Sequence, residues 1–178
     1  MFRSKIYHIT MNLPLAALVL LIAYLLGSIP FGLIIVKIIT GRDVRHVGSG
    51  RTGGTNAMRA GGFWAGALTA LLDFSKGAIA VVVCRILINP DNPWLEIAAA
   101  LAAVLGHNYS IYLPERKPNG RWHLRGGAGG SAALGGSFGL WYPSFLLIFP
   151  VAALVFVVIG YASVTTISVA LFAMLLFA

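Results

Sequence analysis

Long apolar runs separated by short polar segments dominate the pattern of this chain. The first run extends from Leu13 to Ile39 and contains one charged residue, Lys37, near its end. The second extends from Phe63 to Ile88, and the third from Trp94 to about Leu113. A helix needs about 20 consecutive apolar residues to cross the hydrocarbon core of a bilayer. Each of the three runs therefore predicts a membrane-spanning helix.

The C-terminal part of the chain is also apolar. From Ser131 onward it contains no Lys, Arg, Asp, Glu or His, and proline and glycine residues interrupt it. Because such residues end or break helices, they predict a short helix followed by spans near Ser144 to Gly160 and Tyr161 to Ala178. We therefore predict an all-α, polytopic integral membrane bundle of about six membrane helices, forming a single domain over residues 1–178.

Two longer polar segments, the first loop (residues 40–62) and the second loop (residues 114–130), are predicted to lie on the same membrane face, since two spans separate them. They hold eight of the 13 lysines and arginines, whereas the turn Asn89 to Pro93 holds none. Cytoplasmic loops carry the excess of positive charge in membrane proteins. This predicts that both loops are cytoplasmic and that the N-terminus lies outside, although Arg3 and Lys5 act against this orientation.

Composition supports a membrane protein and restricts its partners. Of the 178 residues, 58% are hydrophobic and 10% charged, and the mean hydropathy is +0.87. The net charge of +8 is concentrated in the polar segments, which indicates anionic lipid headgroups or an anionic substrate. Nucleic acid is not expected, because the basic residues lie in short loops between apolar spans. The single cysteine, Cys84, cannot form an intramolecular disulfide, and no His and Cys cluster has metal-binding spacing.

Asp73 and Lys76 are ionisable residues within the second apolar run. Such residues are costly inside a bilayer, so they mark a site or pair with each other. Their spacing places them on one face of a helix. One interpretation is a structural ion pair that holds helices together; the other is that Lys76 faces a pocket. Gly77, which permits close backbone approach, favours the pocket.

The first loop contains the sequence Gly48 to Arg59, rich in glycine and in neutral hydrogen-bond donors. Glycines free backbone N–H groups to turn toward an anion, and an arginine adds a bidentate cation. A helix that begins near Thr55 would add its N-terminus to the same site. A flexible connector is the alternative, and no P-loop ending follows the glycines. The candidate phosphate-binding residues are Ser49, Gly50, Gly53, Thr55, Asn56 and Arg59.

The second loop ends in a similar pattern, with Arg125 followed by Gly126 and Gly127, and it predicts a second anion nest beside the first. His107 lies at the end of the third apolar run. It could act as a general base or bind phosphate. The alternative is a histidine at a helix end that is satisfied by a carbonyl.

In order and spacing, several motifs resemble those of the bacterial acyl-phosphate:glycerol-3-phosphate acyltransferases of the PlsY type. The resemblance rests on Gly27 to Gly32, Gly48 to Arg59, Asp73 to Gly77, Gly106 to Asn108, Gly126-Gly127 and Tyr161 to Val164. It implies a membrane enzyme of about seven helices that transfers a fatty acyl group from acyl phosphate to the 1-hydroxyl of glycerol 3-phosphate. The products would be lysophosphatidic acid and phosphate, in the first step of phospholipid synthesis.

The resemblance also implies a setting and residue roles. It implies a bacterial inner membrane location, an active site facing the cytoplasm, membrane lipid as a partner, no cofactor and a monomer. His107 and Asn108 would be catalytic, Lys76 would bind phosphate with the loop residues, and Asp73 and Gly77 would support the site.

The chain departs from the family pattern in several places. Ala128 stands where the family has a lysine, Arg51 and Gly54 replace an asparagine and an alanine, and residues 115–123 look like an insertion. The chain also ends without the family's basic last segment, which indicates a diverged or C-terminally truncated member. The alternative function is a phosphate-ester binding or transport protein without acyltransferase activity. A transporter needs a polar path across the bilayer, and the outer halves of the spans offer only Arg85 and Glu96.

Overall fold

The computed structural model describes residues 12–88 and 92–177. Arg3, Lys5 and most of the predicted turn Asn89 to Pro93 lie outside the described residues. The helices are α1 (Leu13–Ser28), α2 (Phe31–Thr40), α3 (Gly54–Gly61), α4 (Phe63–Leu87), α5 (Pro93–Asn108), α6 (Gly130–Leu140), α7 (Ser144–Ile159) and α8 (Ala162–Phe177). A 3-10 turn occupies Val44–His46, and two short strands are β1 (Pro114–Arg116) and β2 (Trp122–Leu124).

The first apolar run forms two helices instead of the single predicted one. Helix α1 ends at Ser28 and α2 begins at Phe31. Pro30 lies between them, and because proline has no backbone N–H it cannot continue the hydrogen-bond ladder. The break leaves the carbonyl of Ile29 available, and the Lys76 ammonium donates to it over 2.9 Å.

The second loop corrects the all-α prediction. Strands β1 and β2 form an antiparallel hairpin in which Glu115 pairs with His123. The hairpin is built from the segment that looked like an insertion. At its tip, the Lys117 N–H donates to the Arg121 carbonyl over 2.9 Å. The helix formed by the third apolar run is also shorter than the predicted span. Helix α5 ends at Asn108, and the chain then turns into the hairpin.

Small residues bring the helices close together. A Cβ atom at Gly27 of α1 would lie 2.1 Å from the Ala103 carbonyl oxygen of α5, and one at Gly77 of α4 would lie 2.2 Å from the Ala132 carbonyl oxygen of α6. Side chains of this size let helices pack closely in membranes. Gly77 therefore allows α4 and α6 to pack closely. This role accounts for the glycine, so a pocket is not needed to explain it.

Large apolar side chains cover much of the outer surface, as Leu21, Leu101 and Leu146 illustrate. Two helical segments are long and apolar enough to cross a bilayer, Leu13–Thr40 with a mean hydropathy of 2.5 and Phe63–Leu87 with 1.8. Helices α7 and α8 are apolar but shorter. The described residues thus form a mostly helical, strongly apolar bundle, and the number of membrane spans remains a prediction.

Candidate active site

A cleft of about 780 Å³ opens where the first loop meets the beginning of α6 and the apolar helices α7 and α8. One wall is polar, with Ser49, Arg51, Thr55 and Arg59. The opposite wall is largely apolar and includes Phe156. The cleft can therefore contact a charged group and a hydrocarbon group at the same time.

The side chain of Asn56 holds the first loop in shape. Its amide nitrogen lies 3.0 Å from the Val44 carbonyl oxygen, 2.9 Å from that of Val47 and 2.9 Å from that of Arg51. Its carbonyl oxygen accepts a hydrogen bond from the Ser49 N–H over 3.2 Å. The two N–H donors of the Asn56 amide are therefore used within the loop. Asn56 therefore shapes the loop; it also lines the cleft, and its part in phosphate binding stays a prediction.

Two glycines allow the tight path of this loop. Gly48 and Gly50 have φ angles of 49° and 66°, in the left-handed region that side chains disfavour. A Cβ atom at Gly48 would also lie 2.6 Å from the Asn56 carbonyl oxygen. Gly50 does not line the cleft; a Cβ atom there would lie 2.6 Å from a terminal nitrogen of Arg125. Its role is thus conformational.

The first turn of α3 faces the cleft through Gly53, Gly54 and Thr55. The helix begins at Gly54, so the condition of a helix start near Thr55 is met. Unpaired backbone N–H groups and the positive end of the helix dipole make such a terminus favourable for an anion. Gly53 and Thr55 are therefore placed as predicted, although their part in phosphate binding stays a prediction.

Two exposed arginines supply the positive charge of the cleft. The Arg59 side chain makes no hydrogen bond or ion pair within residues 12–88 and 92–177, so its guanidinium is available to a ligand. Arg51 donates a hydrogen bond from Nη1 to the Gly127 carbonyl over 2.8 Å and so joins the first loop to the second. Arg51 was not among the predicted site residues. Its place between the glycines of the nest was the signal that could have identified it.

The predicted second nest does not form as expected. Gly126 and Gly127 pack against the end of α5, where the Gly127 N–H donates to the His107 carbonyl over 2.9 Å. A Cβ atom at Gly127 would lie 1.9 Å from His107 Nε2. Arg125 is turned away from the cleft, and its Nη1 lies 3.2 Å from Glu115 Oε1. The cleft wall is formed instead by the next residues, beginning with Ala128.

Asp73, Lys76 and His107 form a buried cluster beneath the cleft, with exposed fractions of 1%, 3% and 5%. Lys76 Nζ lies 2.7 Å from Asp73 Oδ1, and His107 Nδ1 lies 3.4 Å from the same oxygen. The lysine contact lacks hydrogen-bond geometry and is an ion pair, and Asp73 Oδ2 has no hydrogen-bond partner among the described residues. Asp73 and His107 reach the cleft lining, whereas Lys76 does not.

This arrangement matches the structural ion-pair interpretation of Lys76, and its predicted phosphate-binding role stays a prediction. The ammonium has two protein partners, since it forms the ion pair with Asp73 and also donates a hydrogen bond to the Ile29 carbonyl. Asn108, predicted to be catalytic, lies behind Gly129 and not on the cleft lining. Its side-chain oxygen is buried without a hydrogen-bond partner in the described part of the chain.

At the entry to the first loop, Asp43 and Arg45 form an ion pair with Nη2 and Oδ2 2.6 Å apart. The Arg45 side chain and its backbone N–H both donate to the carboxylate, and these bonds lower the pKa of Asp43 to about 2 against the effect of burial. Arg45 is therefore engaged at the loop entry and does not line the cleft. Across residues 12–88 and 92–177, no group of three or more His, Cys, Asp or Glu side chains is placed to hold a metal ion.

The sequence of this chain is similar to that of known acyltransferases. Residues 17–178 match the family described as glycerol-3-phosphate acyltransferase. A glycerol-3-phosphate acyltransferase of Myxococcus xanthus is 47% identical over 67% of this chain, and one of Bartonella henselae is 35% identical over 83% of it. The matched regions cover 57% and 66% of those relatives, so the chain spans less than two thirds of their length.

Two solved structures are similar to the whole bundle. Both are crystal structures of PlsY (YgiH), an integral membrane glycerol 3-phosphate acyltransferase, one in the glycerol 3-phosphate form and one in the lysophosphatidic acid form. The first has a TM-score of 0.77 and 36% identity, and the second a TM-score of 0.73 and 33% identity. Each covers 90% of this chain, and the matches cover 75% and 74% of those chains.

Proposed function

Because this chain belongs to the glycerol-3-phosphate acyltransferase family, we propose that it transfers a fatty acyl group from acyl phosphate to the 1-hydroxyl of glycerol 3-phosphate. The products are lysophosphatidic acid and inorganic phosphate. The observation that carries this proposal is the cleft itself, where the free guanidinium of Arg59 and the α3 N-terminus face an apolar wall. Such a cleft suits two phosphorylated substrates, one of which has a hydrocarbon chain.

The phosphate groups bind on the polar wall. Arg59 can pair with two phosphate oxygens at once, which makes it the strongest single contact available there. Ser49 and Thr55 add neutral donors, and the first turn of α3 adds backbone N–H groups. Arg51 contacts a phosphate group from the side of the cleft where the second loop lies. The wall thereby holds two phosphorylated molecules next to each other, which is the main requirement for their reaction.

The chemistry needs no covalent enzyme intermediate, because acyl phosphate is already activated. The 1-hydroxyl oxygen forms a bond to the carbonyl carbon, the bond from that carbon to the phosphate oxygen breaks, and phosphate leaves. Positive charge on the cleft wall stabilises the negative charge that develops during this step. The hydroxyl proton passes either to His107 or to an oxygen of the departing phosphate.

The geometry around His107 favours the departing phosphate as the proton acceptor. His107 Nδ1 is directed toward Asp73, and Nε2 lies beneath Gly127. Both ring nitrogens therefore have close neighbours in the protein. We assign His107, Asp73 and Lys76 a supporting role, in which they fix the end of α5 and the floor of the cleft.

The setting of the enzyme follows from its apolar surface and its charge distribution. We propose that it lies in the bacterial inner membrane as a monomer with about six spans in this chain, and that the cleft faces the cytoplasm. Both arginine-bearing loops border the cleft, which agrees with the positive-inside rule. A transport function is less well supported. In the described outer half of the bundle, Arg85 and Glu96 bond to each other, so they do not offer a polar path.

A direct assay tests this proposal. Purified protein is given acyl phosphate and glycerol 3-phosphate while phosphate release and lysophosphatidic acid are measured, with acyl-CoA as the comparison donor. Arg59→Ala is expected to lower kcat/KM by about 100-fold or more, because it removes a charged donor from the transition state. Arg42→Ala, an exposed loop arginine away from the cleft, is the matched control. Absence of lysophosphatidic acid with the unaltered protein, or near-normal turnover in the Arg59 variant, contradicts the proposal.

A further inference from the structure

The β1–β2 hairpin carries positive charge that the proposed reaction does not use. Arg116, Lys117 and Arg121 lie close together on it, and all three are exposed. None of them lines the cleft. The one acidic residue of the hairpin, Glu115, pairs with Arg125 at the hairpin base. Three cations therefore face outward without an ion-pair partner in the described part of the chain. We call this segment, residues 114–124, the basic hairpin.

Hydrogen bonds within the turn hold these cations at the tip of the basic hairpin. The Gly120 N–H donates to the Lys117 carbonyl over 2.9 Å, in addition to the bond from the Lys117 N–H to the Arg121 carbonyl. The Arg121 N–H donates to the Asn119 side-chain oxygen over 3.1 Å. Lys117 and Arg121 thus flank an ordered turn, and the hairpin presents their charges together.

Exposed aromatic side chains accompany the positive charge. Arg116 is the cross-strand partner of Trp122, so the two side chains lie on the same face of the hairpin. Trp122 is 71% exposed, so little of its indole is covered by protein. Tyr109 and Tyr112, between α5 and the hairpin, are about half exposed. Trp and Tyr rings are enriched where a membrane meets water, because one end of each ring is apolar and the other polar.

The position of the basic hairpin keeps its cations near the end of an apolar helix. Helix α5 ends at Asn108, and β1 begins at Pro114. Each strand has three residues, which corresponds to about 10 Å from base to turn at a rise of ~3.3 Å per residue. The Debye length in about 0.1 M salt is also roughly 10 Å. If the end of α5 lies at the membrane surface, the hairpin cations are within range of its negative potential.

We propose that the basic hairpin binds the headgroups of anionic phospholipids beside the bundle. Arg116, Lys117 and Arg121 contact the lipid phosphates, and the Trp122 ring lies at the level of the headgroups. This inference rests on the membrane setting of the proposed function and not on its reaction. Arginine suits such a ligand, since its guanidinium can donate to two phosphate oxygens at once. An acidic soluble protein would match the charge, but it gives no reason for the uncovered indole beside Arg116.

Native mass spectrometry of the purified chain, titrated with phosphatidylglycerol or phosphatidylcholine, tests the lipid preference. The unaltered protein should bind phosphatidylglycerol more tightly. The triple variant with Arg116→Gln, Lys117→Gln and Arg121→Gln should bind it roughly 100-fold more weakly, because each cation near an anionic surface contributes about fivefold. Arg42→Gln, which removes an exposed arginine outside the hairpin, is the control for Arg116→Gln alone and should cause a smaller loss. Equal affinity for the two lipids, or an equal loss in the Arg42 and Arg116 variants, overturns the inference.

The fluorescence of Trp122 tests where the hairpin lies. In nanodiscs that contain phosphatidylglycerol, the difference in emission between the unaltered protein and Trp122→Phe isolates the signal of this residue. Brominated phosphatidylglycerol should quench that signal. The emission of a water-exposed indole, unquenched by the brominated lipid, overturns the inference in favour of an acidic soluble partner. Both measurements need no turnover, so their failure is distinguishable from a failure to form lysophosphatidic acid.

Discussion

At the scale of single residues, the buried cluster beneath the cleft shows how costly charges are accommodated. Asp73 and Lys76 are both removed from solvent, and their pairing, together with the hydrogen bond from Lys76 to the Ile29 carbonyl, offsets part of the desolvation. His107 borders the same carboxylate. The cluster joins the break between α1 and α2 to the middle of α4 and the end of α5. We therefore expect substitutions in this cluster to reduce the stability of the bundle.

Replacement of Lys76 by Met should destabilise the protein by roughly 3–5 kcal/mol, because it leaves the Asp73 carboxylate buried without its ion-pair partner. The double variant with Asp73→Asn and Lys76→Met should recover part of this loss, since no uncompensated charge remains. Thermal unfolding in detergent measures both effects. A single Lys76 variant as stable as the unaltered protein would show that the pair is dispensable.

Ala128 is the residue that departs most clearly from the family pattern, and it lines the cleft. A lysine there would add a cation beside the proposed phosphate sites, so Ala128→Lys should lower the KM for glycerol 3-phosphate by about tenfold. Asn119→Lys adds the same charge at the exposed tip of the hairpin and should leave the KM unchanged. An unchanged or higher KM in the Ala128 variant would mean that this position needs no cation.

At the scale of elements, the first loop is an ordered structure built by its own polar side chains. The Asn56 side chain donates hydrogen bonds to backbone carbonyls of the loop, and the Asp43–Arg45 ion pair stabilises the start of the loop at the 3-10 turn. The alternative of a flexible connector is therefore inconsistent with these contacts. Much of the predicted anion nest consists of residues that shape the loop, and fewer residues than predicted remain available to a ligand.

The ion pair at the loop entry gives a pH-dependent contribution to stability. The folded-state pKa of Asp43 is lowered from 3.8 to about 2, so the unfolded chain binds the proton more readily than the folded one. The contribution is present above the unfolded value and is lost as the pH falls from about 4 toward 2. The stability difference between the unaltered protein and Asp43→Asn should therefore decrease over this interval. A difference that is constant from pH 6 down to about 2 would contradict this assignment.

At the scale of the whole molecule, the two basic loops meet through residues as far as 76 positions apart along the chain. The Thr52 N–H donates to the Gly126 carbonyl over 3.3 Å, and Arg51 bonds to Gly127. Between these loops, the small residues of α1, α4, α5 and α6 bring the helices close enough for the cleft floor to form. The apolar helices α7 and α8 complete the opposite wall. The cleft thus depends on nearly the full length of the described bundle.

The long apolar runs and the concentration of charge in two loops determined the helical membrane character of this protein, since helix length and hydropathy are properties of continuous sequence. The same is true of the motifs that identify the family. Pro30 lies at the break in the first run, although the length of that run predicts a single span.

Only the tertiary structure decided which motif residues face the cleft. Lys76, Arg125 and Gly127 have the residue types of a phosphate site, but each is paired with a protein group or packed against one and does not line the cleft. Hydrogen bonds and close contacts between distant segments determine this, and spacing along a chain cannot reveal them.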